Sequence, residues 1–185
     1  MIDVNDLRKG VTFTLDGNLY RVLEYAHNKP GRGNATIRTT LRDLRTGATI
    51  QRTFTSGDRV QDIRVENFTV EYLYSDGEFM HFMDTSNYEQ HQLRADIFGN
   101  DALYLIENTQ ISLVRHEEEI IDYELPVTVE MDVIEAENAV AGNTATGATK
   151  KVRTQTGLMV STPLFVNSGD RIRVDTRDGS YVTRV

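Results

Sequence analysis

The chain has 185 residues, 39% hydrophobic and 26% charged, a globular composition that excludes a disordered tail or a collagen-like fibre. It has no cysteine, which excludes disulfide staples, thiolate zinc sites and iron–sulfur ligation, and biases localisation toward a reducing, cytoplasmic setting. The formal net charge of -8 would by itself weigh against a phosphate-rich partner, but the charges are unevenly spread.

In chain order, β-branched and aromatic residues alternate with polar ones over residues 11–15, 20–25 and 36–41, and each run reads as a short strand. Asp16-Gly17 and Thr46-Gly47 supply the positive φ that tight hairpin turns need. Residues 56–60 read as a short helical piece. Near residue 65 the sign of the charge changes: residues 1–64 carry eleven Lys/Arg against seven Asp/Glu, and residues 65–126 carry two against fourteen. Strands follow at 68–74 and 78–83 around Asp76-Gly77, and then a helical piece at 95–98. The acidic run Glu117-Glu118-Glu119 and Leu125-Pro126 precede a fresh alternation over 127–133, in a block that carries seven charges of each sign. Residues 138–149 are small and polar and read as a long exposed loop; Asp178-Gly179 marks a last turn.

No window sustains an apolar period of 3.6 residues over three turns, so the expected fold class is all-β, built from small barrels or sandwiches. The charge pattern divides the chain into blocks 1–64, 65–126 and 127–185, each too small for much core of its own. No stretch approaches the ~18 apolar residues of a membrane helix, and the start lacks the pattern of a signal peptide, so no membrane partner is expected.

Catalytic constellations are absent from the sequence. His27, His81, His91 and His116 never pair at zinc-ligand spacing and read as surface residues, so no metal site is expected. There is no nucleophile elbow, no phosphate-binding P-loop and no dinucleotide fingerprint, and the carboxylates form runs rather than a tuned pair. The reading is a non-enzyme with no catalytic residue and no cofactor.

One loop stands out in the basic block: Asn28-Lys29-Pro30-Gly31-Arg32-Gly33-Asn34, between two strand-like runs. Pro30-Gly31 fits the centre of a type II turn, with the positive φ on Gly31, and sets Arg32 at the apex of a tight projection between two glycines. A guanidinium offers phosphate and base recognition through a fixed fork of donors and a stacking face. Arg38 and Arg42 are four apart on the following strand, hence on one face, as candidate RNA-contacting residues. Arg45, Arg52, Arg59 and Arg64 extend the basic surface. With only Phe13, Tyr20 and Tyr25 nearby, an aromatic single-strand platform looks weak, which favours docking on folded RNA.

These residues resemble a family. Asp6-Leu7-Arg8-Lys9-Gly10, Lys29-Pro30-Gly31-Arg32-Gly33, the run 39–47 and Phe82-Met83-Asp84 are similar to bacterial translation elongation factor P. So is the long ending from Thr156-Gly157 through 163–166 to 169–181, and the likeness runs over essentially the whole chain. The resemblance implies an SH3-like KOW barrel followed by two OB-fold barrels in an L-shaped, tRNA-like arrangement, with block 65–126 the acidic OB-fold. It implies a cytoplasmic monomer that binds the ribosome between the peptidyl and exit tRNA sites, with peptidyl-site tRNA and ribosomal RNA as partners. There it promotes peptide-bond formation at consecutive prolines (polyproline) by positioning the CCA end. Arg32 would be the positioning residue, in a tip loop of Lys29, Pro30, Gly31, Gly33 and Asn34.

Two positions depart from the family pattern. Relatives with a tip lysine receive an amine-based extension that Arg32 cannot take; relatives with a tip arginine that is rhamnosylated commonly follow it with asparagine, where this chain has Gly33 and then Asn34. Whether a modifying enzyme acts on Arg32, or the guanidinium works bare, stays open. Ser161-Thr162-Pro163 stands where relatives usually have valine before the proline. The competing readings are a family paralogue or a generic RNA-binding β-barrel protein without a proline-rescue role.

Overall fold

The computed structural model describes residues 1–29, 31, 33–138 and 148–185. Most of the loop expected over 138–149 therefore lies outside the described residues, as do Pro30 and Arg32. Among the described residues the regular structure is mostly strand. The first six strands are β1 (Ile2–Asp3), β2 (Thr12–Leu15), β3 (Asn18–Asn28), β4 (Thr36–Asp43), β5 (Thr49–Thr55) and β6 (Arg59–Asp62), in the sheet order β1-β6-β2-β3-β4-β5. Then come β7 (Glu66–Ser75), β8 (Phe79–Asp84), β9 (Gln90–Arg94), the single helix turn α1 (Ala95–Phe98), β10 (Gln110–His116) and β11 (Glu119–Glu124), ordered β11-β10-β7-β8-β9. The last sheet, β14-β13-β12-β15-β16, contains β12 (Thr128–Ala136), β13 (Thr149–Thr154), β14 (Met159–Pro163), β15 (Arg171–Asp175) and β16 (Tyr181–Arg184). The pairs β2–β3, β3–β4, β7–β8 and β12–β15 are antiparallel, an arrangement that short hairpin turns allow.

Local sequence explains most of these elements. Asp16 and Gly17 both take positive φ, 52° and 82°, and close the β2–β3 hairpin with the twist that such turns match. In β4 burial alternates strictly: Ile37, Thr39, Leu41 and Asp43 point inward, and Arg38, Thr40 and Arg42 outward. The helix expected over 56–60 does not form. Ser56 and Gly57 make a turn, and Arg59–Asp62 becomes β6, where Val60 pairs with Ile2 and Asp62 with Phe13. Long-range pairing thus overrides a local reading.

By contact the chain forms two compact units, Met1–Asn67 with Leu113–Asp122, and Phe68–Ser112 with Tyr123–Val185. The first buries Val4, Leu7, Phe13, Val22, Ile37, Leu41 and Phe54 in one cluster, and packs Leu19 against Val114 and Ile121 in another. In the second, an aromatic chain runs Tyr72–Phe82–Phe98–Tyr123 with centroid separations of 5.6, 5.6 and 4.4 Å, and this burial of Phe98 explains why the short α1 forms where it does. The same unit buries Tyr104, Met131, Val133, Ile172 and Val174 around β12 and β15.

Candidate nucleic-acid interface

The β3–β4 hairpin carries the singled-out loop. Its register runs from Tyr20 opposite Asp43 to Asn28 opposite Thr36, with a bulge between Val22 and Glu24. β2 pairs only with Asn18 to Arg21, so the outer half of β3 has no second neighbour and residues Glu24 to Asn28 are all exposed. At its end Lys29, Gly31, Gly33 and Asn34 are exposed. Among the described residues of this loop Gly33 takes a positive φ (107°), and the turn expected at Pro30-Gly31 falls partly outside the described residues.

Arg38 and Arg42 do share the outward face of β4, as their spacing requires. Arg21 sits opposite Arg42 in the ladder, and its Nη1 donates to the Asp122 carboxylate at 2.7 Å. Two of the arginines expected to widen the basic surface are held by acids: Arg45 pairs with Glu119 at 3.3 Å and Arg52 with Asp16 at 3.7 Å. Arg38 and Lys9 form no ion pair among the described residues.

Beside the hairpin an open groove of about 450 Å³ is lined by Lys9, Glu24, Tyr25, Arg38, Thr40 and Gln51, among others. The register explains its floor: Thr40 faces Glu24 on one side and Gln51 on the other, and Arg38 faces Ala26. The short side chains of Ala26 and Thr40 leave a depression between longer ones. No spacing signal in the sequence marks Lys9 or Gln51, because the groove draws on four separate segments, the loop at Lys9 and strands β3, β4 and β5.

The histidines have structural partners. His81 Nε2 lies 2.9 Å from Asp76 and its ring stacks on Tyr74 at 4.4 Å; His116 Nδ1 lies 2.9 Å from the Arg64 carbonyl; His27 meets Tyr25, and His91 meets Phe68, edge to face. The His81 bond and the amides of Phe79 and Glu78 hold the Asp76 carboxyl down at about 2. Among the described residues no three acidic or histidine side chains gather as a metal site, and no helix is long and apolar enough to cross a membrane.

Comparison with known proteins assigns the chain. Residues 3–60 match the family model of the elongation factor P KOW-like domain, 65–123 that of its OB domain and 129–184 that of its C-terminal domain. The chain is 44% identical over 184 residues to elongation factor P of Moorella thermoacetica, covering 100% of both. The chain belongs to the elongation factor P family. It is accordingly a translation elongation factor. A solved structure, eukaryotic translation initiation factor 5A from Methanococcus jannaschii, is similar in fold, with a TM-score of 0.52 at 17% identity over 68% of this chain and 90% of that one. Within the elongation factor P frame, the exposed hairpin and its groove belong to the KOW-like domain, which spans the whole of β2 to β5.

Proposed function

We propose that this elongation factor binds the ribosome between the peptidyl and exit tRNA sites and promotes peptide-bond formation at consecutive prolines. Arg32, flanked by Lys29, Pro30, Gly31, Gly33 and Asn34, positions the CCA end of peptidyl-site tRNA, and Arg38 and Arg42 contact RNA. The chain acts as a cytoplasmic monomer in three domains, 1–64, 65–126 and 127–185. It supplies no catalytic group and stimulates the ribosomal peptidyl-transferase.

The observation that carries this reading is the full-length match to elongation factor P, whose KOW-like domain here ends in an exposed, basic hairpin. The physics is one of alignment. Proline's ring fixes φ and restricts how the nascent chain and the attacking amine can meet. Every ~1.4 kcal/mol recovered by holding the tRNA end in a productive pose returns about tenfold in rate, with no chemical group donated.

Arg32→Ala tests the role of the loop. The variant folds and binds ribosomes as the unaltered chain does, and loses rescue of a proline run; full rescue by the variant would remove Arg32 from the mechanism. Mass spectrometry of protein from its own source decides whether a modifying enzyme acts on Arg32.

A further inference from the structure

We propose that the Asp16-Gly17 turn is a site of spontaneous backbone modification, where Asp16 isomerises to isoaspartate through a succinimide, while the fold protects the other two Asp-Gly pairs of the chain.

In this reaction the Gly17 amide nitrogen attacks the side-chain carbonyl carbon of a protonated Asp16. A C–N bond forms, the carboxyl hydroxyl leaves with the amide proton as water, and a five-membered ring closes. Water then opens the ring at the main-chain carbonyl, so the backbone runs on through the side chain and the α-carboxylate becomes the side group. One water is lost and one is gained: the mass does not change, and water is the sole co-reactant.

Asp precedes Gly at 16-17, 76-77 and 178-179, and the missing Cβ leaves each glycine nitrogen unhindered. Hydrogen bonding separates the three. Gly77 N–H donates to the Ser75 hydroxyl at 3.2 Å, and Gly179 N–H to the Asp175 carbonyl at 2.9 Å, so both attacking nitrogens are engaged. The Asp76 carboxylate accepts from the amides of Glu78 and Phe79 at 3.0 and 2.7 Å and lies 2.9 Å from His81 Nε2; that of Asp178 accepts from the Ser180 amide at 2.9 Å. At 16-17 neither group is tied. The Asp16 side chain is 74% exposed and meets only Arg52, at 3.7 Å, and Gly17 N–H donates to no group among the described residues. The bonds that hold the Asp76 carboxyl at about 2 also deny it the proton that the leaving hydroxyl needs.

The turn also has a route to the reactive geometry. Asp16 and Gly17 both have positive φ, which makes this a type I′ turn, and of the three aspartates Asp16 alone has positive φ. Flipping the peptide between the two residues gives a type II′ turn, the other two-residue hairpin connection, with ψ of about −120° at its first central residue. That rotation swings Gly17 N toward the Asp16 side-chain carbon while Leu15 and Asn18 stay paired. The product adds a methylene to the backbone of a loop whose length sets the register, two pairs away from Phe13 and Tyr20 in the buried cluster. Isomerisation therefore loosens the β2–β3 hairpin.

The test is prolonged incubation of the folded full chain at mildly acidic pH in heavy-oxygen water, with a parallel sample in urea. Trypsin places the three pairs in separate peptides, 10–21, 65–94 and 178–184. Isoaspartate is read by chromatography of the isomers, by electron-transfer fragmentation and by methyl transfer from S-adenosylmethionine with an isoaspartyl carboxyl methyltransferase. In the folded chain, peptide 10–21 is expected to gain isoaspartate, with one heavy oxygen, about tenfold faster than the other two, which must first break hydrogen bonds. In urea the three rates should converge, and the isomerised folded chain should melt below the unaltered one. Asp16→Glu, whose ring would need six members, should leave peptide 10–21 unchanged. Isoaspartate in 65–94 or 178–184 as fast as in 10–21 of the folded chain, no isomer in 10–21, or rates as unequal in urea as in the fold would overturn the proposal.

Discussion

Arg21 and Asp122 stand 101 residues apart in sequence and 2.7 Å apart in space, with the Asp122 side chain only 7% exposed. The pair ties the β10–β11 hairpin to β3 in the first compact unit, alongside the apolar contact of Leu19 with Val114 and Ile121. It also offsets the like charge that Arg42 presents across the ladder. Removing the acid leaves a partly buried guanidinium beside another. Asp122→Ala is therefore expected to cost about 2–4 kcal/mol, a little under the about 3–5 kcal/mol of a fully buried pair broken on one side. Urea unfolding measures it; a loss under about 0.5 kcal/mol would make the pair an ordinary surface contact.

The glycine turns allow a paired comparison. Gly47 and Gly179 have nearly equal φ, 74° and 73°, but a Cβ on Gly179 would approach the Tyr104 hydroxyl to 3.0 Å, and one on Gly47 meets nothing within 4 Å. Both Gly→Ala changes incur the left-handed penalty of about 1–2 kcal/mol. Gly179→Ala should cost measurably more, and Tyr104→Phe in the same background should erase most of the difference. Equal melting points for the two glycine variants would refute the contact.

Acid stability follows from two carboxylates held at about 2 against an ordinary 3.8: Asp76, chiefly by the His81 hydrogen bond, and Asp175, chiefly by that of Arg177. A pKa depressed by folding stabilises above the unfolded value and loses that contribution as pH falls through the folded one. Stability is therefore expected to decline between pH 3.8 and about 2, and the double variant Asp76→Asn, Asp175→Asn to show a flatter decline in that window. A pH profile of denaturant midpoints that the substitutions leave unchanged would contradict the assignment.

What the sequence made legible was local. Alternation in 36–41 located β4 and its outward Arg38 and Arg42, and Asp16-Gly17 located a hairpin, because period and turn chemistry are written in neighbouring residues. The polar end of β3, Ala26 to Asn28, escaped because an exposed hairpin arm needs no apolar alternation. The helical piece expected over 56–60 does not form because β6 exists by pairing with Ile2 and Phe13, near the other end of the first block. The groove was illegible for the same reason: Lys9, Tyr25, Arg38 and Gln51 come together only through register.

The central claim is tested most directly by translation of a reporter with three consecutive prolines in a purified system, with no factor, with recombinant chain and with chain from its own source. The account predicts a stalled product without factor and full-length product with the source chain; rescue by recombinant chain as well shows that Arg32 works bare, and rescue by the source chain alone that it works modified. Failure of both preparations to restore full-length product would contradict it.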